Sequence, residues 1–517
     1  MKKIKKILCV LVAICLLVEP TPRSLSAEQT AVPNDPVDLL SIQSGRYSPG
    51  EISRVEMMTE RKESLRSSKS KVSASFYEPQ FSEERVIVKL ASRTGMRSYG
   101  AVPDLGIEYE GIRMLNPSVR GQKARAFSVN EDKNDVFVLT LKNPGKDAVE
   151  QALETLNSNP NVEIAEPDYY RTVNTEKKEE TKEREGSEEE DEEEDEEGEE
   201  SLDIFAPELI DAIKAWEITS GSKDVVVGVI DTGIDGDHPE LEDNLWVNPN
   251  PNKNGYANDV HGYDFVDKTG GTPTDLAGHG THVAGIIGAG GAGDSGFQGI
   301  SPNVSLAWLG VGMGDSDMIS DSACIEALNY ADNCGIPITN NSYGGAEYST
   351  IFEEAIRNYD GLFVAAAGNE EMNNDEVPNY PANFDCPNII SVTSTDRNDN
   401  LSWFSNYGEN TVHIAAPGEE ILSTYPDEMA GEDSPGELYA KMSGTSMAAP
   451  HVAGAAALVL AQNPKYSSED VRAAILGGAN HLVGLLGMVE NCRRLDAYRA
   501  LAPRPSIDRL TVSAESD

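Results

Sequence analysis

The sequence predicts an α/β protein: a parallel sheet with helices on both faces, preceded by a smaller α/β unit. Two observations lead there. From about 203 to 502, short runs that are apolar throughout alternate with helical stretches. Strands without polar alternation belong in a parallel sheet buried on both sides. Upstream, residues 84–173 form a separate group of strand, strand, helix and strand signals, followed by a block of charge.

The chain has 517 residues, enough to bury a sizeable core. Residues 1–27 begin with Lys2, Lys3, Lys5 and Lys6, continue as the apolar run Ile7 to Val18, and end with Ser24, Ser26 and Ala27. That order reads as a secretory signal peptide, too short for a comfortable membrane span. Residues 28–83 are polar and without periodicity, which suggests a flexible spacer. In 84–173, Arg85 to Ala91 and Val136 to Lys142 read as strands. Asp147 is expected to cap a helix whose apolar face is Val149, Leu153 and Leu156. Asn161 to Tyr170 reads as a closing strand. Residues 174–202 are a linker: positions 176 to 200 hold 17 acidic and 4 basic residues, a block that repels itself and cannot collapse.

In the larger region, strands are expected at Val225 to Ile230, Val304 to Leu309, Pro337 to Thr339, Leu362 to Ala366 and Ile389 to Val392. Helices are expected at Thr281 to Gly288, Met318 to Asn333, Ser349 to Asn358 and Ser446 to Gln462. After Leu501 only a polar tail, 503–517, is expected. The net charge of −45 argues against nucleic acid as a partner. Cys324, Cys334, Cys386 and Cys492 lie outside the signal peptide. Export permits disulfides, with three possible pairings, and buried thiols are the alternative. No spacing among them suggests a metal.

Three segments carry the chemistry. Ser446, in Ser443-Gly-Thr-Ser-Met-Ala-Ala-Pro-His-Val-Ala-Gly, opens a long run of small residues, so its hydroxyl lies at a helix N-terminus. A serine hydroxyl needs a base, and the base needs an orienting partner. Of the seven histidines, His279 is flanked by Gly278 and Gly280, which expose a ring at a loop-to-helix junction. His282 is expected to face the core, and His451 to point away from Ser446. Asp231 ends the run Val225-Val-Val-Gly-Val-Ile, at the carboxyl edge of the sheet where α/β folds bind ligands. There it can accept a hydrogen bond from His279. Asp235, Asp237 and Glu240 follow the turn and are expected in solvent. Asn369 ends the buried run Val364-Ala-Ala-Ala-Gly. Its amide and the Ser446 N–H can form an oxyanion hole, where one donor contributes about 3–4 kcal/mol of transition-state stabilisation.

The segments around Asp231, His279, Asn369 and Ser446, with Phe404-Ser-Asn-Tyr-Gly and Ile414-Ala-Ala-Pro-Gly, resemble the subtilisin-type serine proteases. The resemblance covers residues 203–502 and implies a subtilisin-like parallel sheet and peptide-bond hydrolysis through an acyl-enzyme. It implies that Asn340-Asn-Ser342-Tyr343-Gly344-Gly345 is the edge strand that binds an extended peptide substrate, with Ala366, Ala367 and Gly368 as the facing wall. Glu370 and Asn379 are expected near the primary specificity pocket. Residues 84–173 resemble the family's inhibitory propeptide, on Val162-Glu-Ile-Ala-Glu-Pro-Asp-Tyr. Partners would then be protein substrates and the chain's own propeptide, on a secreted monomer. No cofactor is needed for the chemistry. Structural calcium is a family habit; Gly290 to Gly296 offers glycines where a side-chain ligand is expected, while Asn252 to Asp259 offers oxygens. Two rivals are a non-catalytic binding protein, disfavoured because all three chemical residues are present, and an esterase, which lacks its Gly-x-Ser-x-Gly elbow.

Overall fold

The computed structural model describes residues 80–91, 103–116, 135–173, 205–253, 255–291, 297–426 and 438–502. All lie in one structural unit, Ser48–Asp517. The expected signal peptide, nearly all of the spacer, the acidic linker and the C-terminal tail lie outside the described residues.

The smaller part is an antiparallel sheet with one helix across it. Its strands are β1 (Phe81–Leu90), β2 (Tyr109–Met114), β3 (Val136–Leu141) and β4 (Val162–Val173), in the order β4-β1-β3-β2. Helix α1 (Lys146–Asn157) lays Val149, Ala152 and Leu156 on Val86, Val88 and Leu139. Two expectations are corrected here. Strand β1 starts inside the segment read as spacer. Asp147 does not cap α1: the cap position is Gly145, with φ 144°, and Asp147 sits within the first turn, where its charge suits the helix dipole.

The larger part holds a nine-stranded sheet, introduced in chain order. It begins with the short helices α2 (Ala206–Leu209) and α3 (Ala212–Trp216), then β5 (Val226–Asp231), β6 (Gly262–Asp264), α4 (His279–Gly288) and β7 (Ser305–Gly310). There follow β8 (Met318–Ser320), α5 (Asp321–Cys334), β9 (Ile338–Asn341), β10 (Tyr343–Gly344), α6 (Thr350–Arg357), β11 (Leu362–Ala366), β12 (Ile389–Thr395) and β13 (Ile414–Pro417). The chain closes with β14 (Ile421–Thr424), β15 (Tyr439–Met442), α7 (Thr445–Gln462), α8 (Ser468–Gly478), β16 (Asn480–His481), β17 (Arg493–Arg494) and α9 (Ala497–Leu501). Sheet order is β16-β17-β13-β12-β11-β9-β5-β7-β6. Pairing is parallel from β6 through β17, and only β16 runs antiparallel. Strands β7, β9, β11 and β12 are buried at every position, including polar residues beyond the expected apolar runs, such as Asn340 and Asn341 in β9 and Thr393 to Thr395 in β12.

Hydrophobic cores lie on both faces. One gathers α4, α7 and α8 against the sheet; the other gathers α5 and α6. Helix α7 is buried at every position from Thr445 to Leu460. A helix apolar all round can only be central. Its small residues permit this: a Cβ on Gly454 would lie 2.7 Å from Ile300 Cβ.

The stretch expected as one helix from Met318 splits. Met318–Ser320 form β8, and the helix starts at Asp321, capped by the Ser320 hydroxyl. The reason is a long-range pairing. Strand β4 of the smaller part runs antiparallel to β8 (Tyr170 opposite Ser320, Thr172 opposite Met318) and to β10 (Gly344 opposite Thr172, Tyr343 opposite Val173). Strand β4 therefore joins the two parts of the molecule.

Carboxylates from β4 fasten the same junction. Glu166 accepts hydrogen bonds from Thr350 N (2.9 Å), Ile351 N (3.2 Å) and the Ser349 hydroxyl (2.8 Å) at the start of α6. Asp168 accepts from Ser322 N and its hydroxyl, both 2.8 Å, at the start of α5, and from Arg85. Both satisfy orphan N–H groups at helix starts, where negative charge is favoured.

Candidate active site

Sheet order reverses beside β5: the chain passes from β5 to β7 on one flank and then crosses to β9 on the other. Asp231 is the last residue of β5, at this switch point, where α/β sheets open a crevice. It is fully buried. Its Oδ1 accepts from its neighbour Thr232 N (2.8 Å) and from His279 Nδ1–H (2.6 Å). The carboxylate fixes the tautomer: Nδ1 carries the proton, leaving Nε2 as the base.

His279 is the first residue of α4, two positions earlier than the expected helix start. The glycines around it have definite tasks. Gly278 has φ 81°, a left-handed conformation that suits glycine. A Cβ on Gly280 would lie 2.1 Å from Gly233 O and 3.1 Å from Asp231 Cβ, so only glycine lets α4 approach the strand end. Asp275, unremarked in the sequence, holds this turn. It accepts from Gly278 N, from Thr281 N and hydroxyl, and from the Thr232 hydroxyl.

Burial alone would lower the pKa of His279. The Asp231 charge and hydrogen bond outweigh it, and the pKa is raised above the ordinary 6.5. The two rival imidazoles go the other way. Burial pushes His282 down to about 3, with Nε2 between the carbonyls of Ile421 and Ala440. Burial pushes His451 down to about 4, with Nδ1 on Met447 O. His282 is in the core, as expected, and His451, expected only to point away from Ser446, is buried as well.

Ser446 is the second residue of α7. Its hydroxyl donates to Ser342 O at 3.0 Å, while His279 Nε2 is buried without a hydrogen-bond partner among the described residues. Pro450, four residues on, lacks the N–H that would close the helix on Ser446 O. The Ser342 hydroxyl donates to that carbonyl instead, at 2.9 Å. The helix start and the end of β9 are thus tied in both directions.

Asn369 follows β11 and Gly368, whose φ is +111° and whose Cβ would clash with Asn406 and Asn379. The Asn369 Oδ1 accepts from Thr445 N and the Thr445 hydroxyl, both 2.9 Å. This fixes the amide, with its oxygen turned to the start of α7. Thr445 and Asn406 support the arrangement: Gly368 N donates to the Thr445 hydroxyl, and Asn406 Nδ2 donates to Ala367 O and to Glu370. The Glu370 carboxylate is held back by Asn406 and Asn379, and burial raises its pKa. Ser342, Tyr343, Gly344 and Gly345 lie where β4 docks; Ala366, Ala367 and Gly368 line the end of β11 beside Thr445.

Three further expectations are settled. Glu240 is not in solvent: it is buried and accepts from the Tyr439 hydroxyl at 2.8 Å. Asp235 is half-buried and Asp237 exposed. Cys324, Cys334, Cys386 and Cys492 are thiols, not bridges. The loop at Asn252 to Asp259 does not fit calcium. The Asp259 carboxylate faces inward and already accepts from Asn252 N, Asn248 Nδ2 and the Tyr330 hydroxyl. Most of 290–296 lies outside the described residues.

A paired carboxylate and imidazole, and a serine at a helix start, all at the carboxyl edge of a parallel sheet, define a serine hydrolase. Residues 222–493 match the Subtilase family. The chain is 36% identical over 300 residues to thermitase of Thermoactinomyces vulgaris, covering 57% of this chain and 95% of thermitase. It is 34% identical over 437 residues to a thermophilic serine proteinase of Bacillus sp. (strain AK1), covering 80% of this chain and 94% of that protein. To subtilisin-like protease 2 of Plasmodium falciparum (isolate 3D7) it is 39% identical over 259 residues, 48% of this chain but 18% of that protein. The chain belongs to the subtilase family. It is a subtilisin-like serine endopeptidase acting on protein substrates.

Proposed function

We propose that the chain is an exported precursor whose residues 84–173 act as a propeptide, guarding the cleft until the enzyme cuts itself free. The observation that carries this reading is the path of β4. It lies antiparallel on β10, and its last residue, Val173, is opposite Tyr343, adjacent to the Ser342 carbonyl that holds the Ser446 hydroxyl. An extended peptide entering a substrate cleft by strand addition takes this course. The long alignment with the thermophilic serine proteinase covers more of the chain than residues 205–502, in keeping with a shared precursor region. One relative is named a halolysin-like extracellular serine protease, and no described helix is long and apolar enough to cross a membrane. Both accord with export.

In this reading the Ser446 hydroxyl turns from Ser342 O to His279 Nε2 and attacks the scissile carbonyl. His279 takes the proton and returns it to the leaving amine, while Asp231 stabilises the imidazolium. Asn369 Nδ2 and Ser446 N–H hold the oxyanion, aided by the dipole of α7. Water then releases the acyl group. The first cut falls within the few residues after Val173.

The test is to follow purified full-length protein by intact mass, wild type beside Ser446→Ala, with casein present. Trimming after β4 and casein cleavage in the wild type alone are expected. Maturation of Ser446→Ala without added protease would overturn self-cleavage.

A further inference from the structure

A fully buried ion pair lies within the strand that fills the cleft. Arg171, two residues before Val173, is 1% exposed, and Asp321 is 0% exposed. The guanidinium grips the carboxylate with two parallel bonds: Nε to Oδ1 and Nη2 to Oδ2, both 2.7 Å. Its remaining nitrogen, Nη1, donates to Glu347 O at 2.6 Å. All three nitrogens are therefore used, in the fork geometry that arginine has and lysine lacks.

The groups that bind the guanidinium nitrogens belong to the catalytic part. Asp321 opens α5 directly after β8, Glu347 follows β10, and Tyr343 and Cys324 lie alongside. Gly345 leaves room for the stem: a Cβ there would sit 3.3 Å from Arg171 Cδ and 3.4 Å from Nη1. The guanidinium also lies over the Tyr169 ring, 5.9 Å from its centroid.

The arrangement calls for a cation. A buried carboxylate with no counter-charge is costly, and burial already pushes Asp321 up to about 6. Besides Arg171, the charges that act most on Asp321 are Asp168 and Glu166, both acidic and both delivered by β4. Once β4 leaves the cleft, the pocket holds a carboxylate, a backbone carbonyl and no cation of its own among the described ion pairs. A substrate strand following the same register offers its side chain to the same hole.

We infer that Asp321, Glu347 O and Gly345 form a recognition pocket for arginine, so that the enzyme selects extended protein segments with arginine two residues before the residue paired with Tyr343. This rests on the reading of β4 as a stand-in for substrate. It extends that reading from protein substrates at large to arginine-bearing ones, and it makes Asp321 a specificity residue.

The test uses matured wild-type enzyme and quenched fluorescent peptides spanning residues 169–178, Tyr-Tyr-Arg-Thr-Val-Asn-Thr-Glu-Lys-Lys. The arginine is kept or replaced by Lys, Met or Glu. Removing one partner of a buried charge pair costs enough that kcat/KM should fall at least about 30-fold from Arg to Met. Lys should lie between, and Glu should be the worst. In Asp321→Ala the Arg-to-Met ratio should collapse to within about threefold, through loss on the Arg peptide alone. The wild-type series needs no variant to fold, so it decides by itself.

Equal cleavage of the Arg and Met peptides overturns the pocket and leaves the protease reading intact. Digestion of casein with no cleavage of any peptide overturns the path of β4 as the substrate path, and the pocket with it. Digestion of neither by matured enzyme counts against the proposed function itself.

Discussion

In the proposed mechanism the Ser446 hydroxyl makes one side-chain rotation, from the Ser342 carbonyl to His279 Nε2. The direction of the His279 shift makes this testable by pH. As a base the imidazole must be neutral, so kcat/KM should fall on the acid side with a midpoint above the ordinary 6.5. Asp231→Asn should move that midpoint down and lower kcat by about 10⁴, as loss of the orienting carboxylate does in such triads. Stability should run the opposite way. A group whose folded pKa is raised stabilises fully below its unfolded value of 6.5, and that contribution is lost as pH rises through the folded value. Thermal melts of Ser446→Ala, which cannot digest itself, should therefore lose this increment above pH 6.5, and Asp231→Asn in the same background should not. For Asn369→Ala, kcat should drop about 10²–10³-fold with KM little changed, a magnitude carried over from another member of the family; steady-state kinetics on one peptide substrate checks it.

At the scale of elements, the glycines beside the reacting residues set distances. In Gly280→Ala the new Cβ would need the space of Gly233 O, 2.1 Å away. Helix α4 must move off β5 and carry His279 from Asp231. Activity should fall more than tenfold while the precursor still folds with a lower Tm, measured by kinetics and calorimetry side by side. The same local logic explains why so much was legible in the sequence. Asp231, His279, Asn369 and Ser446 each sit where a strand or helix begins or ends, and small residues mark those junctions within a few positions. What escaped depends on distant parts of the chain. Met318-Ile-Ser is too short to announce a strand, and β4, some 150 positions earlier, makes it one. Asp321 looks like an ordinary first-turn acid until Arg171 is placed against it. Asp147 fits a capping pattern, but the turn at Gly145 starts α1 two residues sooner. Glu240 looks solvated because its partner, Tyr439, comes from a strand formed far downstream.

At the scale of the whole molecule, β4 belongs to two sheets and its two carboxylates close the starts of α5 and α6. Each lost helix cap typically costs about 1 kcal/mol. Glu166→Ala and Asp168→Ala should each weaken the hold of the smaller part by roughly fivefold, and together by the product if the two sites act independently. Inhibition of matured wild-type enzyme by Ser446→Ala precursor carrying these changes, cut beforehand by an added protease, measures this. Cys324, under the arginine pocket, should resist alkylation in the folded precursor, since burial holds its thiol well above the ordinary range; mass spectrometry after iodoacetamide reads it directly.

The strand that crosses from one part to the other also changes what dilution does. While the chain is continuous, β4 meets its groove as part of the same molecule, at an effective concentration independent of how much protein is present. The proposed cut after Val173 removes that covalent link without itself breaking the pairing of β4 with β8 and β10. The same contacts then obey mass action between two molecules, and they loosen as the enzyme spreads into a larger volume. A precursor of the kind proposed here would be cleaved while crowded and stay silent, then wake simply because it has been thinned out.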